Sequence, residues 1–282
     1  MRAVRVAHEG KVYGGLEEDD QVRVVPEEGL DVVALIAKEG WDGLERKATR
    51  KLAREETVLL APVPNPQKIL CVGLNYRDHV VEQNLEPPDH PIVFAKMPSA
   101  VIGPGDAIPM HEIASQIDYE AELAVVILSR TRGISPEDAF DVVAGYTAVN
   151  DVSARNLQFS DGQWVRAKSL DGYAPMGPVL VSPDAVGEPD NLDIRCYVNG
   201  ELRQDSNTKN LIFDVPTLIS FCAEAMTLQP GDIICTGTPS GVGVFMDPPR
   251  FLEEGDIVTV YVEEIGELTN PVGSKSRTAS VL

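Results

Sequence analysis

The sequence contains little that would bind nucleic acid or a membrane. Its 282 residues include 24 Lys and Arg against 44 Asp and Glu, which gives a net charge of −20. Such an excess of negative charge repels phosphate backbones and anionic lipid headgroups. No apolar run approaches the roughly 20 residues of a membrane-spanning helix, and the N-terminus lacks the pattern of a signal peptide. We therefore expect a soluble cytoplasmic protein that binds neither nucleic acid nor membranes.

Cysteine is scarce as well, and its spacing excludes two kinds of site. No CxxC pair occurs, so neither a zinc ribbon nor a dithiol redox centre is indicated. We expect all four cysteines to be reduced thiols in the core: Cys71, Cys196, Cys222 and Cys235.

The first 62 residues differ in pattern from the rest of the chain. They predict short strands over 2–8 and 21–26 with a turn at Gly14-Gly15, followed by helical patterns over 30–38 and 41–55. Three alternating prolines over 61–66 then form a stiff connector. We predict a small α+β domain at 1–62 and a larger domain at 63–282.

Strand patterns dominate the larger segment. Runs rich in Val and Ile occur at 68–72, 92–95, 119–128, 179–181, 192–198, 232–236 and 257–262, whereas helical patterns are confined to 136–143, 154–159 and 215–225. Asn199-Gly200 predicts a hairpin turn. Many short strands with few helices indicate a β-rich α+β roll or barrel instead of a doubly wound sheet.

Two acidic residues interrupt one of these strands in a distinctive way. Glu120 and Glu122 are two apart in the run over 119–128, so both side chains point to the same face, and Asp118 shares that face. The pair is either the solvent-facing side of an edge strand or a pair of oxygen ligands for Mg²⁺, Mn²⁺ or Ca²⁺. Asp151, which follows a strand-like run, offers a third carboxylate; it can instead cap the following helix, or do both.

Three further motifs offer polar groups for catalysis or binding. His79 and Glu82 are one helical turn apart, which fits either a general base held by a carboxylate or a chance surface pair. Lys168 is either a solvated lysine or a cation that stabilises an enolate. The glycine-rich segment 235–243 is either a plain tight turn or a holder of carboxylates through its amides and the Thr238 hydroxyl.

Together, and in this order, the motifs resemble the fumarylacetoacetate hydrolase family. The matching text is residues 73–76 with His79 and Glu82, then 118–123, 150–155, 168–169 and 236–243, within a resemblance that covers about 66–282. The first 62 residues resemble the short N-terminal domain of bacterial members. The resemblance implies a mixed β-sandwich roll, usually a homodimer.

The resemblance also implies a role for each motif. It implies three ligands of Mg²⁺ or Mn²⁺, namely Glu120, Glu122 and Asp151. It implies catalytic roles for His79 and Glu82, on a mobile lid, and for Lys168 beside the metal. It implies four substrate contacts, namely Arg155, Gln158, Tyr173 and Thr238.

The implied substrates are small 2-oxo acids and dicarboxylic acids. In such a site the metal stabilises an enolate at the 2-oxygen. We expect first a hydrolase that cleaves a C–C bond in a 2,4-diketo acid of acylpyruvate type. The alternatives are an isomerase or decarboxylase of 2-hydroxyhepta-2,4-diene-1,7-dioate or oxaloacetate type, or a catalytically silent member that binds metal and a dicarboxylate. The motifs alone do not choose between them, because these reactions share one enolate.

Overall fold

The architecture is built around one large sheet whose two faces are both buried. The computed structural model describes residues 1–273 of the protein. Its strands are β1 Arg2–His8, β2 Lys11–Glu18, β3 Gln21–Val24, β4 Arg50–Ala53, β5 Val58–Leu60, β6 Ile69–Gly73, β7 Ile92–Lys96, β8 Val101–Ile102, β9 Ile117–Asp118, β10 Ala121–Ile127, β11 Val143–Asn150, β12 Ser153–Ala154, β13 Ala174–Val181, β14 Asp193–Val198, β15 Glu201–Asn207, β16 Ile233–Cys235, β17 Ile257–Val262 and β18 Gly266–Pro271.

Helices are short and few. They are α1 Val32–Lys47, α2 Arg77–Glu82, α3 Arg155–Asp161, α4 Val165–Lys168, α5 Pro183–Val186 and α6 Val215–Ala225, with 3₁₀ turns at Arg54–Glu56, Pro98–Ala100, Pro136–Val142, Thr208–Asn210 and Gly243–Phe245. Within the described residues 1–273, none of these helices has the length and apolar character to cross a membrane.

The strands form three sheets. The large sheet has the order β4-β3-β2-β1-β13-β11-β10-β16-β6-β7, with β5 paired to β1 and β8 paired to β13. A four-stranded sheet has the order β15-β14-β17-β18, and β9 pairs with β12. Because most neighbours are antiparallel while β6 and β16 run parallel, the sheet is mixed, and the predicted β-rich α+β class is confirmed.

Strand β10 shows how the layers are arranged. Leu123 and Val125 on one face pack into the core shared with the four-stranded sheet, while Ala124 and Val126 on the other face pack into the core covered by α1. The strand predicted over 119–128 is therefore present, and both of its faces are buried. Burial of both faces explains why its sequence reads almost continuously apolar.

The N-terminal residues extend the large sheet. Strand β1 pairs antiparallel with β13, and Ala3 lies opposite Leu180. The hydrogen-bond ladder therefore runs without a break from the N-terminal segment into the rest of the fold. The division at residue 62 stays a prediction, and residues 274–282 of the second predicted domain lie outside the described residues.

Two local predictions in the first 60 residues are wrong. Gly14 and Gly15 lie inside β2 and not in a turn, because a side chain there would collide with neighbours: a Cβ on Gly14 would lie 2.4 Å from Val32 Cγ1, and one on Gly15 would lie 2.2 Å from the Arg23 carbonyl oxygen. The predicted helix over 41–55 ends at Lys47, and its last part forms β4. Pairing with β3 prevails there over helix propensity.

Other local predictions are confirmed. Gly40 breaks α1 with φ of 72°, where the sequence predicts the end of the first helical pattern. Asn199 and Gly200 both have positive φ between β14 and β15, as the hairpin turn requires. All four cysteines are free and buried.

Candidate metal centre and active site

Three carboxylates meet at the ends of two central strands. Glu120 immediately precedes β10, Glu122 lies in it, and Asp151 follows β11. One ligand oxygen from each lies within 4.8 Å of the others, and all three residues are buried. Glu122 is only 1% exposed, so the interpretation of this pair as the solvent-facing side of an edge strand is wrong.

Backbone hydrogen bonds fix the two strand ends against each other. The Asp151 N–H donates to the Glu120 carbonyl oxygen at 2.8 Å, and the Glu120 N–H donates to Asn150 Oδ1 at 3.0 Å. Asp151 does not cap the following helix, because α3 begins later, with Ala154 at the N-cap position. The carboxylate of Asp151 is thereby left to the cluster.

Three cations surround these carboxylates. Lys168 Nζ lies 2.7 Å from Glu120 Oε2 and 2.9 Å from Asp151 Oδ2. Arg155 Nη1 lies 2.7 Å from Glu120 Oε1. Lys96 Nζ lies 2.5 Å from Asp151 Oδ1. Buried charges need such partners, since an unpaired ion in the interior costs several kcal/mol.

The pairing leaves Glu120 and Glu122 in opposite electrostatic situations. Burial by itself would raise the pKa of Glu120, but the charges of Lys168 and Arg155 prevail and lower it to about 2. Burial, together with the negative charges of Asp151 and Glu120, raises the pKa of Glu122 well above its usual range. Among the described residues, Glu122 therefore has no cationic partner of its own, unlike Glu120 and Asp151. Its Oε2 accepts a hydrogen bond from the Gly237 N–H at 2.8 Å.

These residues fit a hard divalent cation. Three carboxylate oxygens at this spacing are the donor set that Mg²⁺ or Mn²⁺ prefers. A cation bound among them would supply the positive charge that would stabilise the ionised form of Glu122. Asp118, which the sequence places on the same face, is not part of this group; it accepts hydrogen bonds from Arg155 Nε and from the Gly243 amide.

His79 and Glu82 form a hydrogen-bonded pair on helix α2. His79 Nδ1 lies 3.0 Å from Glu82 Oε2, and Gln83 Nε2 lies 2.9 Å from His79 Nε2. Because a carboxylate accepts and an amide nitrogen donates, these partners assign the proton of the neutral ring to Nδ1. Glu82 Oε1 in turn accepts the Gly241 N–H at 2.8 Å, which ties the pair to the glycine-rich loop.

One cavity of about 300 Å³ lies beside both groups: His79 of the pair and Glu120 of the cluster line its wall, whereas Glu82, Glu122 and Asp151 do not. Its wall contains six of the predicted site residues, namely His79, Glu120, Arg155, Gln158, Lys168 and Thr238. Apolar side chains complete it, among them Phe94, Trp164 and Phe245. A charged floor beside an apolar wall is the usual composition of a small-molecule site.

The predicted substrate contacts are placed unequally. Arg155 has a buried Nη2 without a hydrogen-bond partner among the described residues, and Gln158 accepts from Arg155 Nη1 at 2.9 Å. Thr238 Oγ1 accepts from Gln204 at 2.8 Å, which leaves its own proton available. Tyr173 is absent from the cavity wall and contacts His111 edge-on, so the structure does not bring it to the site.

Sequence reasoning missed two residues of this site. Lys96 closes the apolar run of β7, and a lysine in that position is rarely buried unless it is paired; that was the available signal. Gln83, the residue that follows the end of α2, contacts the imidazole, and no sequence feature distinguishes it from a surface glutamine. The segment 235–243 is also more than a plain tight turn, because its backbone amides donate hydrogen bonds to the carboxylates of Glu122 and Glu82.

Residues 68–273 match the family model described as the C-terminal domain of fumarylacetoacetate (FAA) hydrolase. The chain belongs to the fumarylacetoacetate hydrolase family. The resemblance drawn from the motifs is thus confirmed.

Members of the family similar to this chain carry more than one activity in their names. The chain is 50% identical over 222 residues to the oxaloacetate tautomerase YisK of Bacillus subtilis, covering 77% of this chain and 74% of that protein. It is 48% identical over 223 residues to the mitochondrial oxaloacetate tautomerase fahd2 of Xenopus laevis, covering 78% and 70%. A solved structure, the fumarylacetoacetate hydrolase of psychrophilic Exiguobacterium antarcticum, matches with a TM-score of 0.88 at 39% identity, covering 98% of this chain and 100% of that one.

Proposed function

We propose that this protein is a divalent-metal-dependent isomerase that interconverts the enol and keto forms of a small 2-oxo dicarboxylic acid, of which oxaloacetate is the model. The two relatives at 48% and 50% identity are named for this reaction. This is the alternative that the motifs left open; the comparisons favour it over the C–C hydrolase placed first. The cytoplasmic location and the homodimer stay predictions.

The observation that carries the proposal is the shared cavity. Its wall contains both the His79 imidazole and the charged pair of Glu120 and Lys168. A tautomerase needs these two functions side by side, namely a group that moves a proton at carbon and positive charge that stabilises the enolate oxygen.

The proton transfer is assigned to His79. Since Nδ1–H donates to Glu82, the lone pair of the neutral ring is on Nε2. Gln83, which contacts Nε2, also lines the cavity, so this side of the ring faces the substrate space. In the keto-to-enol direction Nε2 would take a proton from C3, and the resulting imidazolium would give that proton to the 2-oxygen. In the reverse direction Nε2 would take the proton of the enol hydroxyl and give it to C3, while in both the amide of Gln83 gives way to the substrate.

Positive charge in the site stabilises the enolate. A divalent cation held by Glu120, Glu122 and Asp151 would supply Lewis acidity at the 2-oxo group. Lys168 keeps its ammonium charged, because Asp151 and Glu120 outweigh the effect of burial and raise its pKa. Arg155 lines the cavity, and its buried Nη2, which has no hydrogen-bond partner among residues 1–273, offers a donor for a substrate carboxylate.

The test is a substrate panel with and without chelator. The enol form of oxaloacetate would be mixed with protein in Mg²⁺ or in EDTA, and its ultraviolet absorbance followed by stopped flow. Acetylpyruvate would be assayed in parallel for acetate and pyruvate, and oxaloacetate for CO₂. We expect chelator-sensitive loss of the enol above the buffer rate, faster than any fragmentation.

Each other outcome points elsewhere. Faster cleavage of acetylpyruvate would restore the hydrolase as the main activity, and faster CO₂ release would indicate a decarboxylase. Metal binding without turnover of either compound would support the silent member of the family. Enol loss that is unchanged by EDTA would overturn the metal-dependent mechanism.

A further inference from the structure

Lys96 differs from the other two cations at the carboxylate cluster. Arg155 and Lys168 both line the cavity, whereas Lys96 does not. Its side chain is fully buried, and Nζ contacts Asp151 Oδ1 at 2.5 Å and the Val152 carbonyl oxygen at 3.2 Å. Lys96 is therefore not placed to contact a substrate in this cavity. It binds the Asp151 carboxylate and the carbonyl group of the next residue instead.

Asp151 consequently has its two oxygens in different surroundings. Oδ1 faces Lys96, which is fixed by burial and by two hydrogen bonds. Oδ2 faces Lys168, whose Nζ is shared with Glu120 at the cavity wall. Both oxygens therefore face a buried ammonium group, but Lys168 lines the cavity and is shared with Glu120, whereas Lys96 is absent from the cavity wall and pairs with Asp151.

We infer that Lys96 is a positioning residue that presents Asp151 to a metal ion through one oxygen, and that it thereby favours Mg²⁺ or Mn²⁺ over Ca²⁺. The inference rests on the metal site of the proposed function. Mg²⁺ and Mn²⁺ suit octahedral sites, and Mg²⁺ is held at about 2.0–2.1 Å. Ca²⁺ takes about six to eight oxygens and accepts bidentate carboxylates. Holding Oδ1 away denies Ca²⁺ that second contact.

Removing Lys96 has two consequences for metal affinity, one through charge and one through positioning, and their opposite signs make the inference testable. Lys96 is a positive charge close to the proposed cation, so its removal by charge alone would strengthen binding of Mn²⁺ and Ca²⁺ alike. Loss of positioning would instead weaken Mn²⁺ binding, since removing a partner of a ligand typically costs about 10–100-fold in affinity.

The experiment measures metal affinity and not turnover. Mn²⁺ binding would be titrated by electron paramagnetic resonance on the full-length protein, with Ca²⁺ as competitor, for the wild type, Lys96→Met and Lys96→Gln. The second substitution keeps a polar group in the buried space and protects the test against misfolding of the first. We expect the Mn²⁺ to Ca²⁺ affinity ratio to fall by about tenfold in each folded variant.

Lys68→Met is the matched control. Lys68 Nζ pairs with the buried Asp232 at 2.6 Å, just before β6 and away from the cavity wall, so its loss removes a lysine–aspartate pair without touching Asp151. We expect its affinity ratio to equal that of the wild type. A ratio unchanged within about twofold in the folded Lys96 variants, or tighter Mn²⁺ binding, would overturn the inference. Absence of Mn²⁺ binding in the wild type would instead overturn the proposed function.

Discussion

The carboxylate cluster and the histidine pair rest on very different supports. Glu122 lies in a central strand that pairs on both sides, with β11 and with β16. His79 and Glu82 lie on a helix of six residues, whose outer face exposes 76% of Val81. The core holds the carboxylate cluster, which we call the rigid half of the site. A surface segment holds the histidine pair, which we call the adjustable half.

The backbone around the short helix reinforces this contrast. Leu74 before α2 and Asn84 after it both have positive φ, at 55° and 53°. Non-glycine residues in the left-handed region are strained and cluster at functional segments. Fixed charge is best placed where the scaffold is rigid, and the group proposed to transfer the proton lies instead on a short surface helix, the kind of segment that adjusts to substrates in other enzymes. The mobile lid implied by the family resemblance stays a prediction.

The largest effect should come from breaking the rigid half. In Glu122→Gln the loss of one ligand charge should remove tight metal binding and lower turnover of enol oxaloacetate by about 10³-fold or more, because metal catalysis contributes several kcal/mol. Calorimetric titration with Mn²⁺ and stopped-flow kinetics would measure the two losses. Glu267→Gln, at an exposed strand position, is the control, and equal turnover in both variants would contradict the role of Glu122.

The same substitution should not destabilise the metal-free protein. Burial and the charges of Asp151 and Glu120 disfavour the ionised form of Glu122, and a neutral amide removes that repulsion while its oxygen can still accept the Gly237 N–H. We expect the melting temperature in EDTA to be equal to or above that of the wild type. A fall of more than roughly 4 °C, about 2 kcal/mol for a chain of this size, would show that the carboxylate is needed for folding.

A substitution in the adjustable half should lower turnover without weakening metal binding. His79→Asn removes the group that moves the proton, so turnover should fall by about 10²-fold or more, while Mn²⁺ affinity stays within about twofold of wild type. His90→Asn, at an exposed position that stacks on Phe221, controls for loss of a histidine. Weakened metal binding in His79→Asn would show that the two halves are not separable.

The rigid half was also the more predictable from sequence. The alternation of Glu120 and Glu122 with apolar residues predicts a shared face whatever the tertiary structure, and the structure confirms it. That this face is buried, and that Asp151 meets it, depends on the pairing of β10 with β11, which no local pattern encodes. The family resemblance supplied that step.

Contacts between segments that are distant in the sequence could not be predicted. Lys96 and Asp151 are 55 positions apart, and the turn predicted at Gly14-Gly15 failed because the crowding that requires glycine comes from other elements. The family resemblance implies Tyr173 as a substrate contact, whereas packing places it outside the cavity wall. Local periodicity predicts which face a side chain takes, and tertiary packing decides what that face meets.

The smallest effect should come from Glu82→Gln, which keeps His79 but changes what the ring faces. The oxygen of the new amide can still accept the Gly241 N–H, yet its nitrogen would then point at Nδ1 and favour the ring tautomer with the proton on Nε2. Turnover should fall by about 10-fold, less than in His79→Asn, and ¹⁵N NMR of the imidazole should report the exchanged tautomer. Val81→Ser, exposed on the same helix, should change neither. An unchanged tautomer together with the loss of turnover would mean that Glu82 acts by holding the short helix to the glycine-rich loop, and the adjustable half would then be more tightly coupled to the core than its exposure indicates.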